Sequence, residues 1–228
     1  MIPIKDDNYL RTFPYVTVIL IAVNAAIFLV QILSGDFGKV LTYNFSVVPY
    51  NIFHPQNKEV YITLFTSMFL HAGILHLAGN MIFLWIFGDD IEDALGHFRY
   101  LFFYIVCGIA AILLHSLIYH TSHVPVLGAS GAISGILGAY FLLYPEVRVL
   151  TIIPIFFIIR FMWIPSTFFL IIWFAFQLLY AANPQAHQIA FLAHIGGFLA
   201  GLGIIYLIFG ANNQGRDFDI IMPWQHHE

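Results

Sequence analysis

The chain has 228 residues, 61% of them hydrophobic and 9% charged, with a mean hydropathy of +0.87. Soluble domains carry roughly 25% charged residues, so this composition excludes a soluble fold and leaves room for about six membrane spans with short connections. The net charge of −4, spread over few ionisable groups, offers no basic stripe for phosphates and argues against nucleic acid as a partner.

Charges punctuate the chain, and the uncharged intervals between them set the spans. No Asp, Glu, Lys or Arg occurs from Thr12 to Gly35, Val60 to Gly88, Tyr100 to Pro145, or Phe161 to Gly215. The third interval is broken by the polar, Pro-containing patch His120 to Pro125 and the fourth around Asn183 to Gln188. This predicts six helices, over about 14–34, 71–90, 99–119, 127–145, 164–182 and 188–209. The first lacks an A-x-A cleavage pattern and is too long for a signal-peptide core, so it is expected to be retained.

The connection from Ser34 to about Ser67 is interrupted by Asn44, Pro49, Asn51 and Pro55, which make it a poor span and mark it as functional or disordered. The apolar stretch Val149 to Pro165 contains Arg160 and two prolines and is expected to lie along the membrane interface. With the N-terminus inside, Lys5, Arg11, Arg99, Arg148, Arg160 and Arg216 fall on the cytoplasmic side and Lys39 and Lys58 outside, as the positive-inside rule favours. The expected organisation is a short cytoplasmic segment over 1–13, a six-span membrane domain over 14–209 and a polar cytoplasmic tail over 210–228. Cys107, the single cysteine, excludes an intramolecular disulfide and reads as a small buried hydrophobe. No internal repeat is evident.

Polar groups inside a bilayer are costly unless they find partners or serve a site. Three clusters stand out. In the second span, HAGILHLAGN carries His71, His76 and Asn80, the last two four apart on one helical face. The fourth span opens with GASGAISG, placing Ser130 between Gly128 and Gly131. Small residues at this spacing are the ordinary signature of close helix packing, but a hydroxyl at a helix N-terminus also lies beside free N–H groups and the positive end of the dipole. The sixth span carries AHIGGFLAG, with His194, Gly197 and Gly201 on one face. Its G-x-x-x-G admits a neighbouring backbone, naturally the small face of the fourth span, which brings a histidine beside a serine. With the N-terminus inside, spans two, four and six all start at the outer surface. His76, Asn80, Ser130 and His194 therefore share one layer, as a single site requires.

These residues resemble the rhomboid family of intramembrane serine proteases: the G-x-S-G around Ser130, the H-x-x-x-N of His76 and Asn80, and the A-H-x-x-G-x-x-x-G around His194 stand in the family's order and on its spans. Glu92 and Gly96 look like the family's E-x-x-x-G, a structural helix end. The resemblance implies an all-α, six-transmembrane-helix rhomboid-like bundle in which Ser130 is the nucleophile and His194 the base, without an aspartate. It implies an oxyanion hole from the Ser130 N–H, His76 and Asn80, and an outward polar cavity that His71 would line. Its implied substrates are single-span membrane proteins cut near the outer face, and the implied setting is the plasma (inner) membrane with both termini cytoplasmic. Two positions depart from the pattern. Ile62 and Thr63 stand where many members have Trp-Arg, and Ser134 stands where some have an aromatic ring against the catalytic histidine.

The main competing reading is a non-catalytic relative acting in membrane-protein binding or quality control. A transporter would more often show repeated halves and helices broken at the midplane. A zinc protease needs H-E-x-x-H, which is absent from the chain, and Asp89, Asp90 and Asp93 cluster at one helix end rather than facing each other as an aspartyl pair. His71, His76 and His194 lack a carboxylate partner for a metal, so no cofactor is expected.

Overall fold

A backbone that cannot bond to water in lipid must satisfy itself, and the long uncharged runs fold accordingly into helices. The computed structural model describes residues 1–155, 158–182 and 190–210, most of them helical. In chain order the elements begin with β1 (Ile2–Asp6), α1 (Tyr15–Leu33), α2 (Asp36–Phe45), α3 (Pro49–Phe53) and α4 (Thr63–Thr66), the last flanked by 3-10 turns. There follow α5 (Ile74–Leu95), α6 (His97–Ile118), α7 (Ser130–Leu143), β2 (Arg148–Ile155), β3 (Ile158–Pro165), α8 (Ser166–Ala181) and α9 (Phe191–Ile205), which continues as a π turn to Gly210.

Among the described residues four helices, at Tyr15–Leu33, Ile74–Leu95, His97–Ile118 and Phe191–Gly210, are long and apolar enough to cross a membrane. The other two expected spans are apolar but shorter, 14 residues in α7 and 16 in α8. At 1.5 Å per residue α7 covers only about 21 Å of a hydrocarbon core about 30 Å thick. It is shorter than the expected 127–145 because Leu127 to Ala129 form a loop, with Gly128 at φ +125°.

The connection between α1 and α5 is folded rather than disordered. It forms α2 to α4 and is tied down by an antiparallel bridge between Val47 and Val126. Across the stretch expected to lie along the interface, Arg148–Ile155 and Ile158–Pro165 form the antiparallel strands β2 and β3. β1, from the segment expected to be merely polar, pairs with β2 and completes a three-stranded sheet in the order β1-β2-β3. In β2 the buried residues alternate, Val149 and Thr151 being fully buried, whereas β3 is exposed along nearly its whole length, Phe161, Met162 and Trp163 included. The expected break at Asn183 to Gln188 and the tail from residue 211 lie outside the described residues.

α7 sits at the centre of the bundle, and every residue from Gly131 to Tyr140 is buried. Its small face meets α9 backbone to backbone. A Cβ added to Gly201 would stand 1.9 Å from the Gly135 carbonyl oxygen, one on Gly197 2.0 Å from that of Gly131, and one on Gly138 2.1 Å from that of Phe198. Only glycine permits this approach. Cys107 is fully buried in the α6 face against Gly135.

α5 ends at Gly96, whose φ of +75° a side chain would strain, and α6 starts one residue later. One turn earlier Glu92, fully buried, accepts the Val16 and Thr17 N–H groups at 2.8 and 2.7 Å and faces His97 Nδ1 at 2.5 Å. A carboxylate on the free N–H groups of the first turn of α1 satisfies donors that lipid cannot.

Candidate active site

Ser130 opens α7, and the loop before it is shaped by Gly128. The Gly128 N–H donates to the Ser67 carbonyl at 2.9 Å. A Cβ at that position would come within 2.8 Å of the His76 ring and 3.7 Å of Asn80 Nδ2. The loop therefore lies directly against the two polar residues of α5, which share a face as the i, i+4 spacing requires. As the first helical residue, Ser130 has a backbone N–H without an intrahelical partner.

The α7–α9 contact places His194 beside Ser130, with Nε2 2.9 Å from the serine Oγ. Both residues are half-buried, so the pair is reachable from outside the protein. The other nitrogen, Nδ1, lies 2.8 Å from Oε1 of Gln177, a residue of α8. The rings of Trp173 and Phe191 flank the imidazole at centroid distances of 6.3 and 6.1 Å. Ser134 does not reach His194. Its hydroxyl donates to the Ser130 carbonyl at 2.7 Å, so the histidine is held from α8 instead.

Donor arithmetic assigns the His76 tautomer. The Ala72 N–H donates to His76 Nδ1 at 3.4 Å, which leaves the ring proton on Nε2, the atom facing the Gly128 loop. Asn80 Nδ2 donates to His71 Nε2 at 2.9 Å and keeps its second N–H. His71 is buried, and its backbone is held at both ends by Gln31, which accepts the His71 N–H at 3.1 Å and donates to its carbonyl at 3.2 Å. A cavity of about 370 Å³ opens beside this group, lined by His71, Gln31, Lys39, Thr42 and Leu127 among others. It adjoins the Gly128 loop without being lined by Ser130 or His194.

The structure thus brings Ser130, His194, His76 and Asn80 around one loop, with Gly128, Gly131, Gly197 and Gly201 forming the close contacts that hold them. Among the described residues, His71, His76 and His194 do not converge as a metal-ligand group. Sequence reasoning missed Gln177 and Gln31. Each is a buried amide in a predominantly apolar helix, the kind of costly polar group that signals a partner, but neither belongs to a motif.

A profile of the rhomboid domain matches residues 58–211, more than half of the chain. The chain belongs to the rhomboid family. It is 34% identical over 156 residues to RHOMBOID-like protein 1 of Arabidopsis thaliana, covering 66% of this chain and 36% of that protein. It is 43% identical over 76 residues to Rhomboid protease GluP of Bacillus subtilis, covering 33% of this chain and 14% of that protein. Over a stretch of the same length it is 38% identical to Inactive rhomboid protein 1 of Drosophila melanogaster, covering 33% of this chain and 5% of that one. Other relatives carry the word mitochondrial in their names. The chain thus spans about a third or less of the length of these relatives, and the family contains both proteases and inactive members. Family membership makes the protein a membrane-embedded one; what it does there depends on the site residues.

Proposed function

We propose that this rhomboid is an intramembrane serine protease that cleaves single-span membrane proteins near the outer face of the bilayer. The observation that carries the reading is the 2.9 Å contact between Ser130 Oγ and His194 Nε2 at a helix N-terminus, beside the donors His76 and Asn80. In this mechanism Oγ attacks the scissile carbonyl carbon while Nε2 takes the hydroxyl proton. The oxyanion is stabilised by the Ser130 N–H, the Nε2–H of His76 and the spare N–H of Asn80, donors fixed before the reaction begins. His194 then protonates the leaving amine, and a water deprotonated by the same nitrogen hydrolyses the acyl-enzyme.

The reading includes six spans, with both termini cytoplasmic in the plasma membrane and the outer ends of α5, α7 and α9 at one depth. A 14-residue α7 then begins below the surface, which puts Ser130 within reach of a membrane-embedded peptide. Such a substrate must unwind locally, because helical carbonyls are already bonded. A non-catalytic relative would have no need to keep nucleophile, base and donors in contact.

The test is co-expression with a panel of tagged single-span proteins, combined with labelling by a fluorophosphonate. Wild type cleaves at least one member and is labelled at Ser130, and Ser130→Ala loses both. Labelling at Ser134, or cleavage that survives Ser130→Ala, would overturn the assignment.

A further inference from the structure

A serine–histidine pair works only if the histidine presents an unprotonated Nε2 to the hydroxyl, which requires its single proton to sit on Nδ1. Something must hold that tautomer, and among the described residues the hydrogen-bond partners of the His194 ring are Ser130 and Gln177, not a carboxylate. The atom at Nδ1 is Oε1 of Gln177, 2.8 Å away. The orientation of the Gln177 amide follows from its other end, where Nε2 lies 3.2 Å from the Trp173 carbonyl oxygen, a group that can only accept. That contact demands the NH2 group there and turns the amide oxygen toward His194. An oxygen facing Nδ1 demands an N–H on it, and the lone pair is left on Nε2 toward Ser130 at 2.9 Å. The chain of assignments thus starts at an α8 carbonyl, whose role is unambiguous, and ends at the nucleophile. Gln177 is 7% exposed, so water competes poorly for the bond.

We propose that Gln177 is a positioning residue that turns the Ser130–His194 pair into a three-residue relay, with a neutral amide in the place an aspartate takes in other serine proteases. This rests on the protease reading above. It also gives α8 a task in the chemistry: displacing α8 from α9 would break the bond to Nδ1 and free the imidazole to rotate or change tautomer.

Two substitutions and one spectrum test it. Gln177→Met keeps the shape but removes the acceptor. It should lower kcat and the rate of fluorophosphonate labelling together by about 10- to 100-fold, with KM unchanged, because the loss is one of alignment rather than substrate binding. Gln177→Glu restores an acceptor and adds a charge that favours the imidazolium. It should recover kcat at high pH and move the acid limb of the rate profile upward by about one pH unit or more. A purely packing role would leave that limb in place. Independently of turnover, 15N spectra of histidine-labelled protein in detergent should place the His194 proton on Nδ1 in wild type and show a mixture of tautomers in Gln177→Met. Wild-type kcat in Gln177→Met, an unmoved limb in Gln177→Glu, or a wild-type proton on Nε2 would each overturn the inference. Cleavage by Ser130→Ala would instead overturn the protease reading, while the spectra would still decide on Gln177.

Discussion

The two ends of α5 use polar side chains in opposite ways. At the C-terminal end, Glu92 meets two backbone N–H groups and a histidine, Asp93 takes the Thr12 N–H and hydroxyl at 2.9 and 2.6 Å, and Asp90 takes the Asn8 amide at 2.6 Å. All these bonds tie the helix to the start of the chain or to α6. At the N-terminal end, His76 and Asn80 each engage one local partner and keep a donor in reserve beside the Ser130 loop. Polar groups bound to neighbouring elements of their own chain make structure, whereas spare donors at an accessible site can stabilise charge that exists only during a reaction. The contrast predicts that substitutions at one end change rate and those at the other change stability.

The largest effect expected is at the base. His194→Ala should reduce cleavage to background with little change in melting temperature. In the wild type, activity should fall as pH is lowered through the His194 titration, since imidazolium cannot accept the serine proton. A rate flat into strongly acidic pH would remove the histidine from the mechanism. Next, Asn80→Ala removes one of several donors and should cost roughly 10- to 1,000-fold in kcat. Equal losses in the two variants would dissolve the distinction between base and donor.

Gly201→Val tests whether rate depends only on the polar end, because it lies between the two ends and touches no polar side chain of the site. Its Cβ would collide with the Gly135 carbonyl, so overpacking of about 1–3 kcal/mol is expected. A shift of about 1 Å between nucleophile and base would lower the rate on the order of 100-fold in protein that is still folded. At the C-terminal end, Glu92→Ala strands buried donors and should destabilise by about 2–5 kcal/mol in a detergent melt, yet leave kcat per folded molecule unchanged. The smallest effect belongs to Gly203→Val, where nothing lies within 4 Å of an added Cβ. Gly203→Val losing cleavage while Gly201→Val keeps it would reverse the face of α9 assigned to Ser130.

Much of this arrangement was legible from local pattern. Gly197 and Gly201 announced a close helix contact, and the contact they make is the one that seats His194. The site-bearing residues declared themselves because a serine, two histidines and an asparagine are expensive in apolar runs. The sheet stayed hidden, since β2 and β3 are drawn from one largely apolar run, without the polar alternation that marks a strand in water. Its pairing of Ile2–Asp6 with Arg148–Ile155 bridges over 140 positions in the chain and leaves no short-range trace.

Read alone, the chain specifies a membrane protein, the positions of its apolar intervals and the residues able to carry chemistry. Composition and spacing suffice for these because the bilayer penalises every polar or charged group one by one. Folding in three dimensions decided how much of each interval is helix, leaving α7 and α8 shorter than the runs that encode them. It also decided which nitrogen of His194 meets the serine. That choice belongs to Gln177, 17 residues away on another helix, and depends on a side-chain orientation anchored by the Trp173 carbonyl. A hydrogen bond between separate helices has no period and no motif, so packing alone creates it.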